Sequence, residues 1–246
     1  MITKAILFDL DDTLTESKQK VTEDMVIAFT NLMAVMPVSI VTGGSFNQIK
    51  NQFINMLPED AKFSNFYCFS QNSAECFSYE NEWKKEYSYN FTEDQSDKII
   101  NALNKVIEET GFVKDEPSFG ERIENRGAQV TFSALGQSSP IDLKHNWDKD
   151  QSKRKIMRDK LLVLIPEYEI GIGGTTSIDI TQKGINKTLS IKWLAEKLSL
   201  NVEEMTYVGD ALFEGGNDAV VKQTNVNTIE TKNPKNTIEI INSIIN

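Results

Sequence analysis

Ala5-Ile6-Leu7-Phe8-Asp9-Leu10-Asp11-Asp12-Thr13 sets a short apolar run directly against three carboxylates. The run predicts a buried strand that ends in an acidic turn. Side chains two apart along an extended segment share a side, so Asp9 and Asp11 can converge at the strand's carboxyl end, where open α/β sheets place their ligands. Like charges ~4 Å apart repel by roughly 4 kcal/mol at an effective dielectric near 20, so the cluster calls for a cation. Mg²⁺ is the natural ion, since it is hard and takes a few carboxylates plus the phosphate oxygens of a substrate.

Moving outward, strand-like and helix-like segments alternate: Ala5–Asp9, a helix over Glu23–Val35, Val38–Thr42, a helix over Phe46–Leu57, then Phe66–Ser70. This is the βαβ pattern of a parallel sheet. It resumes late in the chain with a helix over Lys187–Leu198, strands over Met205–Gly209 and Val226–Thr231, and a closing helix after Pro234. Between the two stretches the pattern changes. An amphipathic helix over Glu93–Thr110 precedes a strand over Gln129–Ala134, a charged helix over Asp150–Leu162, and two strand-like runs, Tyr168–Gly173 and Ser177–Thr181, joined by a Gly-Gly turn. The expected organisation is an α/β core of residues 1–86 and 184–246 interrupted by an α+β insertion of residues 87–183.

The 246 residues are 39% apolar, ample for a packed core, and carry a net charge of −10. Nucleic acids and anionic membranes demand clustered Lys and Arg, so neither is an expected partner. Any anionic substrate must be met by local positive groups. The N-terminal residues lack a signal peptide's pattern and Leu161–Ile165 is too short an apolar run to cross a bilayer, which predicts a cytoplasmic address. Cys68 and Cys76 sit in strand-like sequence without a neighbouring His and read as reduced, packed thiols. His145 is the only histidine, which makes a histidine phosphatase, a Ser-His-Asp site or a His-rich zinc centre hard to build; beside Trp147 and Asp148 it reads as solvated.

Three further motifs fall at or just beyond strand ends. Val41-Thr42-Gly43-Gly44-Ser45 offers a hydroxyl and unhindered backbone N–H groups for phosphate oxygens. Lys187 follows Gly184-Ile185-Asn186, and Gly209-Asp210-Ala211-Leu212-Phe213-Glu214-Gly215-Gly216-Asn217-Asp218 is a second acidic loop after a second buried strand. Together these resemble the haloacid dehalogenase superfamily of phosphotransferases, and its phosphomannomutase branch above all, over nearly the whole chain. The resemblance implies a Rossmann-like parallel-sheet core with an inserted α+β cap domain that recognises substrate. It implies Asp9 as a nucleophile that becomes an aspartyl phosphate and Asp11 as general acid/base. Asp9, the Asp11 backbone carbonyl and Asp210 would hold Mg²⁺, with Asn217 and Asp218 orienting the metal shell and Lys187. Thr42, Gly43, Gly44 and Lys187 would steady the transferring phosphoryl group. Phosphoryl transfer needs positioning and charge neutralisation more than a strong nucleophile, so a carboxylate suffices. Asp12, where many relatives have Gly, reads as a turn residue, Glu214 as solvated, and Gly171-Ile172-Gly173-Gly174 as a hairpin turn rather than a nucleotide loop.

In the cap, residues 126–137 look like the family's substrate segment and Ser177-Ile178-Asp179 like its sugar-contacting Ser-x-Asp. Arg126 keeps a family arginine, whereas Gln137, Lys144 and the core-side Lys18 stand where those mutases have arginine. Lys is a point charge and Gln is neutral, so the grip on a remote phosphate should be weaker than a bidentate guanidinium gives. The expected reading is therefore a sugar-phosphate phosphatase, with a phosphomannomutase interconverting mannose 1-phosphate and mannose 6-phosphate as the alternative. A small-molecule sugar phosphate is the expected partner, with a homodimer formed through the cap. A receiver-type phosphoacceptor fits less well, since it needs no substrate chamber.

Overall fold

The computed structural model describes residues 3–245. In chain order the elements are β1 (Ala5–Phe8), α1 (Glu23–Val35), β2 (Val38–Val41), α2 (Phe46–Gln52), β3 (Phe66–Ser70), β4 (Glu75–Tyr79), β5 (Trp83–Ser88), α3 (Glu93–Thr110), β6 (Ile123–Asn125), β7 (Val130–Ser133), α4 (Ile141–Trp147), α5 (Ser152–Leu164), β8 (Tyr168–Gly173), β9 (Ser177–Gln182), α6 (Thr188–Leu198), β10 (Met205–Gly209), β11 (Asn227–Glu230) and α7 (Pro234–Ile245). Two compact units result. One joins the residues up to Ser88 with those from Asn186 onward, and the other is the continuous stretch Tyr89–Ile185.

The first unit is built on a seven-stranded sheet of order β11-β10-β1-β2-β3-β4-β5. The five strands from β11 to β3 run parallel, and β4 and β5 are antiparallel. Both faces are covered, which is why the strands read as unbroken apolar runs. Alternation along β1 sends Ile6 and Phe8 to a core with Phe29 and Leu32 of α1, Ile49 of α2 and Ile241 of α7, and sends Ala5 and Leu7 to a second core with Ile191 and Leu194 of α6. Phe29 anchors the first core, its ring 4.7 Å from Phe53 and 5.3 Å from Phe66. β1 lies between β2 and β10, pairing Phe8 with Ile40 and Val208, so its carboxyl end opens at the middle of the sheet.

Several features differ from the sequence reading, among them the short elements β6 and α4, which it did not anticipate. The helix expected over Phe46–Leu57 stops at Gln52 and continues as a 3₁₀ turn over Ile54–Met56. β5 was not expected, and β4 only as the strand-like sequence around Cys76: Lys84, Lys85 and Glu86 give β5 a charged, half-exposed edge pattern that lacks a strand's apolar signature.

The second unit packs α3 and α5 against one face of a four-stranded antiparallel sheet, order β6-β7-β9-β8. Val130, Phe132, Ile178 and Ile180 point to the helices, and alternation puts Gln129, Thr131, Ser133, Ser177 and Asp179 on the opposite face. α3 starts at a capping box between Thr92 and Gln95 and ends at Gly111 with φ +64°. Of the Gly171–Gly174 stretch read as a hairpin turn, Gly171 to Gly173 end strand β8 and Gly174 opens the turn to β9, and Cys68 and Cys76 are buried free thiols. Among the described residues no helix is long and apolar enough to cross a membrane.

Candidate active site

The carboxyl ends of β1 and β10 bring together residues far apart in the chain. Asp9, 5% exposed, follows β1 and receives the Lys187 ammonium at 2.5 Å. The same ammonium lies 2.7 Å from Asp218 Oδ1, and Asp9, Asp210 and Asp218 each place a carboxylate oxygen within 4.8 Å of the others. Thr13 ties the β1 loop to the β10 loop, its hydroxyl donating to Asp210 Oδ1 and accepting from the Asp210 N–H at 3.1 Å. Asp218 returns to the strand end because the residue there is glycine: a Cβ on Gly209 would stand 2.4 Å from Asp218 Oδ2.

Three carboxylates around one ammonium leave the site electron-rich. Burial, with Asp218 and Asp210 nearby, pushes the Asp9 carboxyl well above its ordinary range against the pull of Lys187. Asp210 is raised to about 6 by burial and by the Asp218 charge. Burial works against the Lys187 charge, but Asp218 and Asp9 outweigh it and hold the ammonium protonated. Hard oxygen donors converging on a small volume, with an excess of negative charge, are what a Mg²⁺ ion requires, and the residues present fit it.

Asp11 plays a different part. Its carboxylate accepts from the Lys18 backbone N–H at 2.8 Å, the Lys18 ammonium at 3.0 Å, and the Gln48 and Gln52 amides at 3.4 Å. Burial opposes its charge, yet Lys18 prevails and lowers its pKa. The Asp11 side chain thus makes its contacts apart from the three-carboxylate cluster, and the sequence reading asks only its backbone carbonyl to serve the ion. Lys18, read as a substrate contact, closes onto Asp11 from a left-handed turn at φ +60°. Asp12 adopts φ +61° and accepts from the Ser17 N–H, a turn role, and Asn217 is half-buried in the β10 loop. Gly44 sits where a side chain would strike Gln48, and its N–H donates to the Thr42 hydroxyl at 3.1 Å.

In the inserted unit, Asp179 accepts from Thr131 at 2.9 Å and Gln129 at 3.2 Å, on the sheet face away from the helices. Arg126 donates through Nε and Nη2 to Glu124. Lys144 donates to the Gln137 carbonyl at 2.9 Å, and the buried Gln137 Nε2 has no hydrogen-bond partner among the described residues. Ser177 pairs in register with Ser133. His145 and Glu214 are exposed.

Sequence reasoning missed Tyr207, whose hydroxyl donates to Asp218 Oδ1 at 2.6 Å from full burial, and the glutamines that hold Asp11. Tyr207 reads as one more apolar strand residue, and only the two-residue offset from Gly209 hints that it shares the loop's side.

Residues 25–246 match the family model for eukaryotic phosphomannomutase. The chain is 25% identical to phosphomannomutase 2 of Dictyostelium discoideum over 96% of its length and 94% of that protein, and 27% identical to the phosphomannomutase of Spinacia oleracea over 86% and 83%. A haloacid dehalogenase-like hydrolase from Bacteroides thetaiotaomicron superposes with a TM-score of 0.63 at 16% identity, covering 98% of this chain and 99% of that one. The IMP-bound IMP-nucleotidase of Plasmodium falciparum does so with a TM-score of 0.71 at 19% identity, covering 99% and 68%. The fold is that of haloacid dehalogenase-like phosphotransferases, and the chain belongs to the eukaryotic phosphomannomutase family.

Proposed function

We propose that the chain is a Mg²⁺-dependent phosphomannomutase, moving a phosphoryl group between O1 and O6 of mannose by way of an aspartyl phosphate on Asp9. The observation that carries this reading is the buried Asp9 carboxylate held by Lys187 within a cluster completed by Asp210 and Asp218. Asp9, Asp210 and Asp218 would hold the ion, which neutralises charge on the phosphate oxygens when bound. Lys187 contributes a fixed positive charge beside the nucleophile. The cycle starts from phosphorylated Asp9: a sugar hydroxyl gives its proton to the ionised Asp11 as its oxygen attacks phosphorus and the Asp9–phosphorus bond breaks. In the return transfer the Asp9 oxygen attacks the phosphorus of the other phosphate, the bond from that phosphorus to the sugar oxygen breaks, and the sugar oxygen takes back the proton that Asp11 had gained.

The similarity to relatives named phosphomannomutase supports isomerisation over the hydrolysis that the sequence reading favours. One observation keeps the phosphatase as a second reading: Lys144 is engaged by the Gln137 carbonyl, and neither residue offers a guanidinium fork for a remote phosphate. The deciding assay supplies Mg²⁺ and mannose 1-phosphate with and without a hexose 1,6-bisphosphate, following mannose 6-phosphate and free phosphate together. Asp9→Asn should abolish both products while the protein stays folded. Turnover above a few per cent of the parent removes Asp9 from the nucleophile's role.

A further inference from the structure

Glu75 at the start of β4 is 6% exposed and lies outside the carboxylate cluster, yet it gathers four donors. Oε2 accepts from Ser70 Oγ at 3.0 Å and Gln71 Nε2 at 2.7 Å. Oε1 accepts from Lys85 Nζ at 2.5 Å and Ser88 Oγ at 3.1 Å. Between Ser70 and Glu75 the chain makes a turn in which three successive non-glycine residues are left-handed: Gln71 at φ +53°, Asn72 at +54° and Ser73 at +70°. Such a run is costly for L-residues and persists only when its surroundings over-determine it. Ser73 adds to the cost, since its buried hydroxyl has no partner among the described residues.

What the turn achieves is visible in its backbone. The Gln71 N–H donates to the Gly44 carbonyl at 2.8 Å and the Asn72 N–H to the Thr42 carbonyl at 2.9 Å. The strained turn therefore clasps the loop whose hydroxyl and N–H groups are assigned to the transferring phosphoryl group. We infer that Glu75 is a positioning residue: by fixing Ser70 and Gln71 it holds the left-handed turn that sets the Thr42–Gly44 phosphate loop. The inference rests on the function proposed above for that loop.

Glu75→Gln keeps the side chain's size but replaces one acceptor oxygen with an amide donor facing donors. Amide exchange at Gln71 and Asn72 should accelerate by about tenfold or more as the turn loosens. kcat/KM for mannose 1-phosphate should fall roughly threefold to tenfold, the range for residues that act through a neighbour. Ser73→Gly, which relieves one of the three left-handed residues, should restore part of both losses in the Glu75→Gln background. A lowered Tm with unchanged exchange and unchanged kcat/KM overturns the inference, as does a Glu75→Gln effect of equal size with and without the Ser73→Gly substitution. Should Glu75→Gln fail to fold, Ser70→Ala removes one donor from the carboxylate and should change exchange in the same direction by a smaller factor; no change there also overturns it. A parent protein with no phosphoryl transfer at all defeats the proposed function, while the exchange measurements still decide whether Glu75 holds the turn.

Discussion

The Tyr207 hydroxyl meets Asp218 Oδ1 at 2.6 Å, on the same oxygen that Lys187 reaches at 2.7 Å. Two donors converging on one carboxylate oxygen, both from buried side chains, fix Asp218 and through it the ammonium beside Asp9. Tyr207→Phe leaves the ring packed and deletes only that contact. A hydrogen bond to a charged group contributes ~1.5–3 kcal/mol, and partial transmission to Lys187 predicts a fall in kcat of about threefold to tenfold with KM little changed. Steady-state kinetics at saturating Mg²⁺ checks this, and an unchanged kcat detaches Tyr207 from the site.

Metal-free protein should lose stability as pH rises. Asp210 titrates near 6 when folded against an ordinary value of 3.8, so between those values the folded state binds more protons than the unfolded one. Stability is then greatest at the acidic end and declines up to about pH 6, and the raised Asp9 carboxyl adds in the same direction. Tm in chelator should fall across this window, and Asp210→Asn should flatten the profile. Mg²⁺ at neutral pH should raise Tm and restore activity by relieving the repulsion. A flat profile in chelator contradicts the electrostatic account.

Lys18→Met should move the acidic limb of the rate profile. Lys18 holds Asp11 ionised, and Asp11 must be ionised to accept a proton from the attacking hydroxyl. Without the ammonium its pKa rises, so activity should be lost at a higher pH as the medium is acidified. The pH dependence of kcat is the measurement; an acidic limb that stays in place assigns it to another group.

Gln137→Arg with Lys144→Arg should favour isomerisation. Each guanidinium contact to a phosphate contributes ~1.5–3 kcal/mol, and part of that suffices to lengthen retention of a bisphosphorylated intermediate. The double variant should release less free phosphate for each hexose 1,6-bisphosphate consumed. A parent that already isomerises with negligible hydrolysis makes the substitutions redundant.

What was legible in the sequence was what spacing and local chemistry enforce. The apolar run before Asp9 reads as a buried strand, and the spacing from Gly209 to Asp218 marks the second acidic loop, while the close approach of Asp218 to Gly209 is visible only in the structure. Lys187 was legible by its motif, though it meets Asp9 across 178 residues. Tyr207 was not, because an aromatic residue in a buried strand looks the same whether or not its hydroxyl finds a carboxylate. Glu75 was hidden because its donors Lys85 and Ser88 lie on β5, whose charged edge pattern conceals the strand. The contact between Lys18 and Asp11 was not legible, because it depends on a left-handed turn at Lys18 that no local signal in the sequence announces.

The insertion also dictates an order of assembly on the ribosome. Ile6 pairs with Thr206, so one edge of the strand that leads to Asp9 stays open until β10 has been synthesised, whereas the core of the inserted unit is drawn entirely from continuous sequence. An apolar strand edge that waits so long for its neighbour is a template for pairing with another nascent chain. Polypeptides released before Met205 would carry that edge exposed and have no means of gathering the carboxylates.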